Sequence, residues 1–573
     1  MAYDVIIRGG TVIDGAGLPG YIADVGIAEG RIAAIGKLAG EAARETIDAE
    51  GHVVAPGFID AHTHMDAQIF WDPLGTCSCW HGVTSVVMGN CGFTLAPCAK
   101  EDKHLVMRNL QEAENISPEA MDAGIKWSWE TFSEYLDAVD RLPKGINYAA
   151  YVGHSALRTY AMGERAFEEQ ATADDLDKMK RELRAAVSAG AVGLSTSRSR
   201  VHWTPDGRPV ASRIASWDEV RELDGDMGDL GAGTFELTRE NESRTPQSLA
   251  DFSGRLKTLA LETKVPATLG VTFSQRGEPD SWRPIYEMAD EVNAAGGRIR
   301  LQSTSRWGSL LRSFQTEMPF QLDLAPVWSD VRKLPLPEQE AALRNPETRR
   351  RLVEAAKAYQ GAMRNGRVRT VQFDWLFVLD KPLPPYRSIA EIANERNCHP
   401  VEAMIDIALA KNLRQFFIEP NFNETEETLL AMMRHPSSVV TFSDSGAHVT
   451  YIMDSSTQTH MLSYWVREKQ AFTLEAAVRK MTFEIASFWG LRDRGLLRRG
   501  CIADVVIFDP ARILPQMPEL VHDLPTGAPR LKQKADGIRA TIVGGDIVMR
   551  DNDHTGALPG RLLRTRVSSR TLS

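Results

Sequence analysis

The chain opens with short runs in which apolar and polar residues alternate between glycines: Asp4 to Arg8, Ala23 to Ala28, Arg31 to Ile35, Thr46 to Ala49 and His52 to Ala55. A period of two sends alternate side chains to opposite faces, so these runs predict a small antiparallel β unit with one buried face. The same texture returns in Ala503 to Asp509 and in Ile538 to Arg550. Two β-rich ends around a long middle predict one discontinuous domain built from residues 1–57 and 484–560. The middle, 58–483, alternates short β-branched runs with longer helical ones. Strands are predicted at Thr84 to Met88, Val192 to Ser195, Val265 to Thr272 and Val439 to Ser443, and helices at Thr172 to Ala189, Ser216 to Leu230 and Pro400 to Ala410. Parallel strands joined by crossover helices make an α/β fold, and a (β/α)₈ barrel is its simplest form. Residues 273–390 hold more chain than one strand–helix unit needs, with prolines at 335, 337, 346, 382, 384 and 385. An inserted loop or helical excursion, able to act as a lid, is predicted there. The basic, Ser/Thr-rich end at 561–573 is predicted to be a flexible tail, frayed or touching a neighbouring subunit.

The length of 573 residues agrees with a barrel plus one smaller domain. With 66 Lys and Arg against 76 Asp and Glu, the net charge is −10 and no basic block is long enough to track a phosphate backbone. Nucleic acid is thereby excluded as a partner. The start lacks a basic segment followed by a long apolar core, and no run of eighteen apolar residues occurs, so a cytoplasmic protein without a membrane partner is expected. Six cysteines, at 77, 79, 91, 98, 398 and 501, are too few and too clustered for a disulfide framework.

Candidate chemistry concentrates where predicted strands end. In PGFIDAHTHMD (56–66) an apolar strand runs into two histidines two residues apart. Residues i and i+2 of a strand share a face, so His62 and His64 can both aim into a barrel mouth and offer two imidazole ligands to Zn²⁺ or a similar ion. Asp444 follows the strand Val439 to Ser443, at the carboxyl edge where barrel active sites are built. It can ligate the ion and accept a proton from activated water; an Asx-turn before Ser-Gly is the alternative. Cys91, flanked by glycines in HGVTSVVMGNCGF (81–93), is a candidate thiolate ligand, against the alternative of an inert buried cysteine. Cys77 and Cys79 resemble half a zinc knuckle without its second pair and are read as structural.

These motifs together resemble the N-acyl-D-amino-acid deacylase (D-aminoacylase) branch of the metal-dependent amidohydrolases. The resemblance runs through VIIRGGTVIDG (5–15), the two strings above, YVGHSALR (151–158), GAVGLSTS (190–197), FSDSGAH (442–448), LEAAVRKMT (474–482) and GLRDRGLLRRGCIADVVIFDP (490–510). It implies a β-sandwich built from both termini, a barrel holding the metal site, and hydrolysis by metal-activated water with the last-strand aspartate as base and then acid. Residue by residue, it implies His62 and His64 as first-strand ligands, Cys91 as the metal-binding cysteine and Asp444 as the catalytic aspartate.

Two further histidines of that branch are absent here. Their slots fall near Leu237 and Val271, in GTFELTR (233–239) and KVPATLGVT (264–272). A trimmed centre is therefore expected: one zinc ion rather than two, on His62, His64 and Asp444 with Cys91 close by, and with Glu236 as a candidate substitute. The resemblance ranks His154 first as a substrate-pocket residue. His202 and His448 are candidates for the same pocket, with His448 and His460 able to polarise a carbonyl. Arg198 and Arg200 could pair with a substrate carboxylate, and each of these residues could equally be an ordinary solvated or hydrogen-bonded side chain. The expected activity is hydrolysis of a C–N bond in a small amide-like substrate, an N-acyl-D-amino acid by resemblance. The alternatives are a mononuclear enzyme acting on a carbamate, cyclic amide, urea or lactone, and a non-catalytic scaffold. A homo-oligomer is compatible with all three.

Overall fold

The computed structural model describes residues 3–240, 245–272, 277–319, 325–359, 362–364, 367–369 and 372–565. Two compact units emerge. One comprises 1–306, 425–449 and 454–573; the other comprises 307–424 and 450–453.

In the first unit, the alternating runs at both ends of the chain form one nine-stranded sheet. Tyr3–Val12 pairs antiparallel with Tyr21–Ala28 and parallel with Ala43–Asp48 and Val53–Pro56. Val505–Phe508 then docks antiparallel on Val53–Pro56, with Val506 opposite Ala55, and passes the ladder to Ile538–Val543 and Asp546–Arg550. The apolar halves of the alternation share one core, in which Val5, Ile7, Val25, Ile27, Val54, Val505, Ile507 and Ile542 are buried. Burying each such side chain contributes about 1.5–3 kcal/mol before chain entropy is subtracted. The sandwich implied by resemblance appears as this single mixed sheet.

The functional strands belong to the same unit and pair in parallel. We label them β1 (Phe58–Asp60), β2 (His62–Thr63), β3 (Val83–Met88), β4 (Asn147–Ala150), β5 (Val152–Gly153), β6 (Gly193–Ser197), β7 (Thr234–Thr238), β8 (Ala267–Gly270), β9 (Ile299–Ser303), β10 (Ser438–Val440) and β11 (Phe442–Ser445). Three ladders result: β1-β3-β4, β5-β6-β7-β8-β9-β10, and β11-β2. Some of the helices between them start on side-chain caps, as at Thr172, whose hydroxyl and the Asp175 carboxylate satisfy each other's backbone N–H groups. Along β1 and β2 the alternation is functional: Ile59 and Ala61 enter an apolar cluster with Val87, Ala149, Val439 and Ile485. Asp60, His62 and His64 therefore take the other face.

The end of the chain departs from the expected flexible tail over its described part. Tyr148 N donates to Arg561 O at 3.0 Å, Leu563 N to Tyr148 O at 2.6 Å, and Thr565 N to Gly190 O at 3.0 Å. Leu562 is buried beside β4, so apolar burial and backbone pairing fix a segment whose composition reads as frayed. Residues 566–573 lie outside the described ones.

The second unit joins the antiparallel strands Gly308–Arg312, Phe417–Phe422, Phe377–Val378 and Arg387–Ser388 to a helical layer whose core holds Trp328, Leu352, Met404 and Phe417. It contains the predicted helix at 400, observed as Pro400–Leu409. The strand Ile299–Ser303, by contrast, lies in the first unit although it falls within 273–390.

Candidate metal centre

His62 and His64 leave β2 on one face, and each ring is held from behind. His62 Nδ1 donates to Gln302 Oε1 at 2.5 Å, which leaves Nε2 facing Cys91 Sγ at 3.4 Å and Asp444 Oδ1 at 3.7 Å. His64 Nδ1 lies 3.0 Å from Glu114 Oε1, in an ion-pair contact rather than an aligned hydrogen bond, while its Nε2 lies 3.0 Å from Asp444 Oδ1. With both Nδ1 atoms engaged, both Nε2 atoms converge on the thiol and the carboxylate. At His62 the hydrogen bond gives the tautomer control that buried metal-binding histidines need.

Cys91 and Asp444 reach this point through unusual backbone. Cys91 has φ 55° and Asp444 φ 56°, both in the left-handed region that costs a residue with a Cβ about 1–2 kcal/mol. Asp444 sits where the pairing of β11 with β2 skips from Phe442 opposite His62 to Ser445 opposite Thr63, a bulge that re-aims the side chain toward the histidines. Two residues on, Gly446 has φ +96° and its missing Cβ would stand 2.4 Å from His64 O, so only glycine fits that approach. Cys91 lies between Gly89 and Gly92, and its N–H donates to Glu236 Oε2 at 2.8 Å.

The electrostatics are those of a buried, charge-dense centre. Burial lowers His62 to about 4 and pushes the Cys91 thiol up to about 12, the latter helped by the nearby Glu236 charge. Burial opposes protonation of His64, yet the Glu114 charge and the hydrogen bond to Asp444 hold it well above the usual imidazole range. Burial likewise works against ionised Asp444, but His64, His62 and His448 hold it well below the usual carboxylate range. Burial raises Asp66 and Glu236 to about 8 each. A divalent cation among these groups would reverse the burial effect on the thiol and leave the imidazoles neutral. Among the described residues, His62, His64 and Cys91 bring their donor atoms within 4.8 Å of one another, a nitrogen–sulfur set suited to zinc.

The remaining expected site residues fall in two groups. His202, hydrogen-bonded through Nδ1 to Ser197 Oγ at 2.6 Å and set edge-on to Phe93, lies within electrostatic reach of His448, His64 and Asp444. His448, half-buried, acts on both His202 and Asp444. His154 is instead fully buried between Thr196 Oγ1 at 2.9 Å and Glu219 Oε1 at 2.8 Å, where Arg158 also pairs with Glu219. Arg198 donates to Glu240 Oε1 at 2.7 Å and to Ala215 O, and His460 sits beside Ser305 Oγ at 3.2 Å. Leu237 and Val271 are buried apolar side chains, and the Phe442 ring packs against His62 with centroids 4.2 Å apart and the planes tilted by 43°.

Glu114, Gln302 and Asp66 were not anticipated. Asp66 extends the alternation of His62 and His64 by one more step, a signal present in the string; it accepts from Gly89 N at 2.8 Å. Glu114 and Gln302 belong to no motif and come to the histidines only through tertiary packing.

Comparison with known proteins gives the family. Residues 45–549 match the amidohydrolase family. The chain is 30% identical to N-acyl-D-glutamate deacylase of Alcaligenes xylosoxydans xylosoxydans over 99% of this chain and 97% of that one. Among solved structures it is similar to N-acyl-D-glutamate deacylase from Bordetella bronchiseptica complexed with zinc and a phosphonate inhibitor, at 25% identity and a TM-score of 0.67, covering 99% of this chain and 100% of that one. It is also similar to D-aminoacylase with a binuclear metal centre, at 26% identity and a TM-score of 0.66, covering 98% and 100%. Converging donors on parallel strands and a family match over most of the length lead to one conclusion: the chain belongs to the amidohydrolase family and is a metal-dependent hydrolase of non-peptide carbon–nitrogen bonds.

Proposed function

We propose that this enzyme removes the acyl group from N-acyl-D-amino acids, using one zinc ion held by His62, His64, Cys91 and Asp444. The convergence of His62 Nε2, His64 Nε2, Cys91 Sγ and Asp444 Oδ1 carries the reading of the centre. Full-length similarity to deacylases of N-acyl-D-amino acids supports the substrate class. A single ion is favoured because Leu237 and Val271 offer no donor atoms.

The three parallel ladders are read as one (β/α)₈ barrel. β1 and β2, β4 and β5, and β10 and β11 are each separated by a single residue, so 58–63, 83–88, 147–153, 193–197, 234–238, 267–270, 299–303 and 438–445 make eight tracks. Backbone bonds from Tyr151 N to Met88 O, Val192 N to Ala150 O and Thr441 N to Ser303 O span the breaks. The active centre then stands at the carboxyl ends of the tracks. The six cysteines, all free, fit a reducing cytoplasmic setting.

When bound, the ion would lower the pKa of its water and polarise the scissile carbonyl. Asp444, fixed by His64 and His62, takes the proton of the attacking water and returns it to the leaving nitrogen. Gln302 and Glu114 keep the two rings in register, and His202 and His448 line the approach of the substrate. Asp444→Asn is expected to lower kcat by roughly 10²–10⁴-fold, measured by steady-state hydrolysis.

The deciding experiment strips the enzyme of metal, restores zinc, counts zinc per chain and offers N-acetyl-D- and L-amino acids beside a cyclic amide. Release from the D series at one zinc per chain supports the reading. Silence toward every D derivative, with hydrolysis of another carbonyl substrate, ends the deacylase assignment and leaves the amidohydrolase.

A further inference from the structure

Cys91 has to hold its thiol against His62 from a left-handed backbone, at φ 55° and ψ 18°, a conformation a cysteine does not favour. The loop around it is tied at several points. Gly89 N donates to Asp66 Oδ2, Gly92 N to Ser195 Oγ at 3.0 Å, and Asn90 Nδ2 to Thr63 O and Val87 O. The N–H of the thiol-bearing residue itself goes to Glu236 Oε2 at 2.8 Å, from a carboxyl group wholly buried on β7 and 145 residues away in sequence.

Glu236 approaches both donors from behind. Its other oxygen, Oε1, has no hydrogen-bond partner among the described residues and lies 4.0 Å from His62 Nδ1, whereas Nε2 is the ring nitrogen that faces the thiol. The donors that gather within 4.8 Å of one another are His62, His64 and Cys91, without Glu236. In register, Glu236 stands between Ser195 of β6 and Thr268 of β8, and Leu237 between Thr196 and Leu269. Consecutive strand residues face opposite ways, so with Glu236 turned to Cys91 and His62, Leu237 points to the other face of β7.

We propose that Glu236 is a positioning residue that holds the Cys91 backbone in its left-handed turn, so that the thiolate is presented to the ion in a centre lacking donors at 237 and 271. The inference rests on the reading above that Cys91 ligates the metal. It departs from the expectation that Glu236 is itself a substitute ligand. A backbone acceptor needs an oxygen at the right distance and no charge, whereas a ligand needs the carboxylate, and the two roles separate experimentally.

The test uses the full chain, stripped and reloaded with Co²⁺, whose thiolate-to-cobalt charge-transfer absorption reports sulfur ligation independently of activity. Four variants are compared with the parent: Glu236→Gln, which keeps an acceptor oxygen; Glu236→Leu, which has none; Glu236→Thr, too short to span the gap; and Cys91→Ser. Glu236→Gln is expected to keep the charge-transfer band and a Co²⁺ affinity within about threefold of the parent. Glu236→Leu and Glu236→Thr are expected to lose most of the band and to bind Co²⁺ roughly 10–100-fold more weakly. If Glu236→Leu does not fold, Glu236→Thr carries the same expectation. A full band in the leucine or threonine variant, lost only in Cys91→Ser, overturns the proposal and leaves Cys91 as a ligand. Equal loss in Glu236→Gln and Glu236→Leu also overturns it, making Glu236 a direct ligand. A parent without the band, or a band unchanged in Cys91→Ser, overturns both the ligation reading and the proposal.

Discussion

Gln302 shows how much a single buried amide can decide. Its Oε1 is the acceptor for His62 Nδ1, so Gln302→Leu removes the group that fixes the ring and its tautomer. Metal affinity is expected to fall roughly 10–100-fold, measured by chelator competition, with the melting temperature of the metal-free protein little changed. Away from the centre, Asp224 is fully buried, accepts from Thr263 Oγ1 at 2.8 Å, and is raised by burial from the ordinary 3.8 to about 7. A carboxyl whose folded pKa exceeds its unfolded value contributes stability that is complete below pH ~4 and is lost as pH rises through about 7. Asp224→Asn is therefore expected to match the parent near pH 4 and to exceed it by about 1–4 kcal/mol at pH 8, read by denaturant melts at both pH values. At this scale the sequence disclosed the ligand pair and little of its support. The spacing of His62 and His64 follows from strand geometry alone, and Asp444 from its position after an apolar run. Gln302 and Glu114 carry no local signal because their roles arise from contacts 240 residues distant in one case and from a short irregular helical segment in the other.

Elements were legible wherever periodicity was long and capped. Thr172 opens the helix Ala173–Ala189 and Ser216 opens Trp217–Leu230, both where polar caps precede apolar repeats. Strand ends were less so, since β10 and β11 break at Thr441 and bulge at Asp444, features imposed by pairing with β2. His154 illustrates the same limit. Its motif suggested a pocket, yet it starts the helix His154–Met162 and pins it, together with Arg158, to Glu219 on Trp217–Leu230. Both side chains bond the one Glu219 carboxylate, so Glu219→Ala leaves a buried guanidinium without its counter-charge. A loss of roughly 3–5 kcal/mol is expected, visible as a lowered urea midpoint. Restoring a partner by Glu219→Asp should recover part of it.

The whole molecule depends on chain ends that composition would call expendable. Deleting residues 559–573 removes the backbone bonds from Gly560 to Lys144 and from Leu563 to Tyr148, and uncovers the surface buried by Leu562. Calorimetry is expected to show a melting temperature lower by about 5 °C, with kcat at 25 °C nearly unchanged. The nine-stranded sheet extends the same dependence in time. Its middle strand Val53–Pro56 finds one neighbour within the first dozen residues and the other only at Val505–Phe508. During synthesis that edge therefore leaves the ribosome long before its partner exists, and the nascent chain travels with an open apolar edge until nearly the last strand is translated. Chaperone demand should accordingly peak late in translation and fall once Ile538–Val543 and Asp546–Arg550 have emerged.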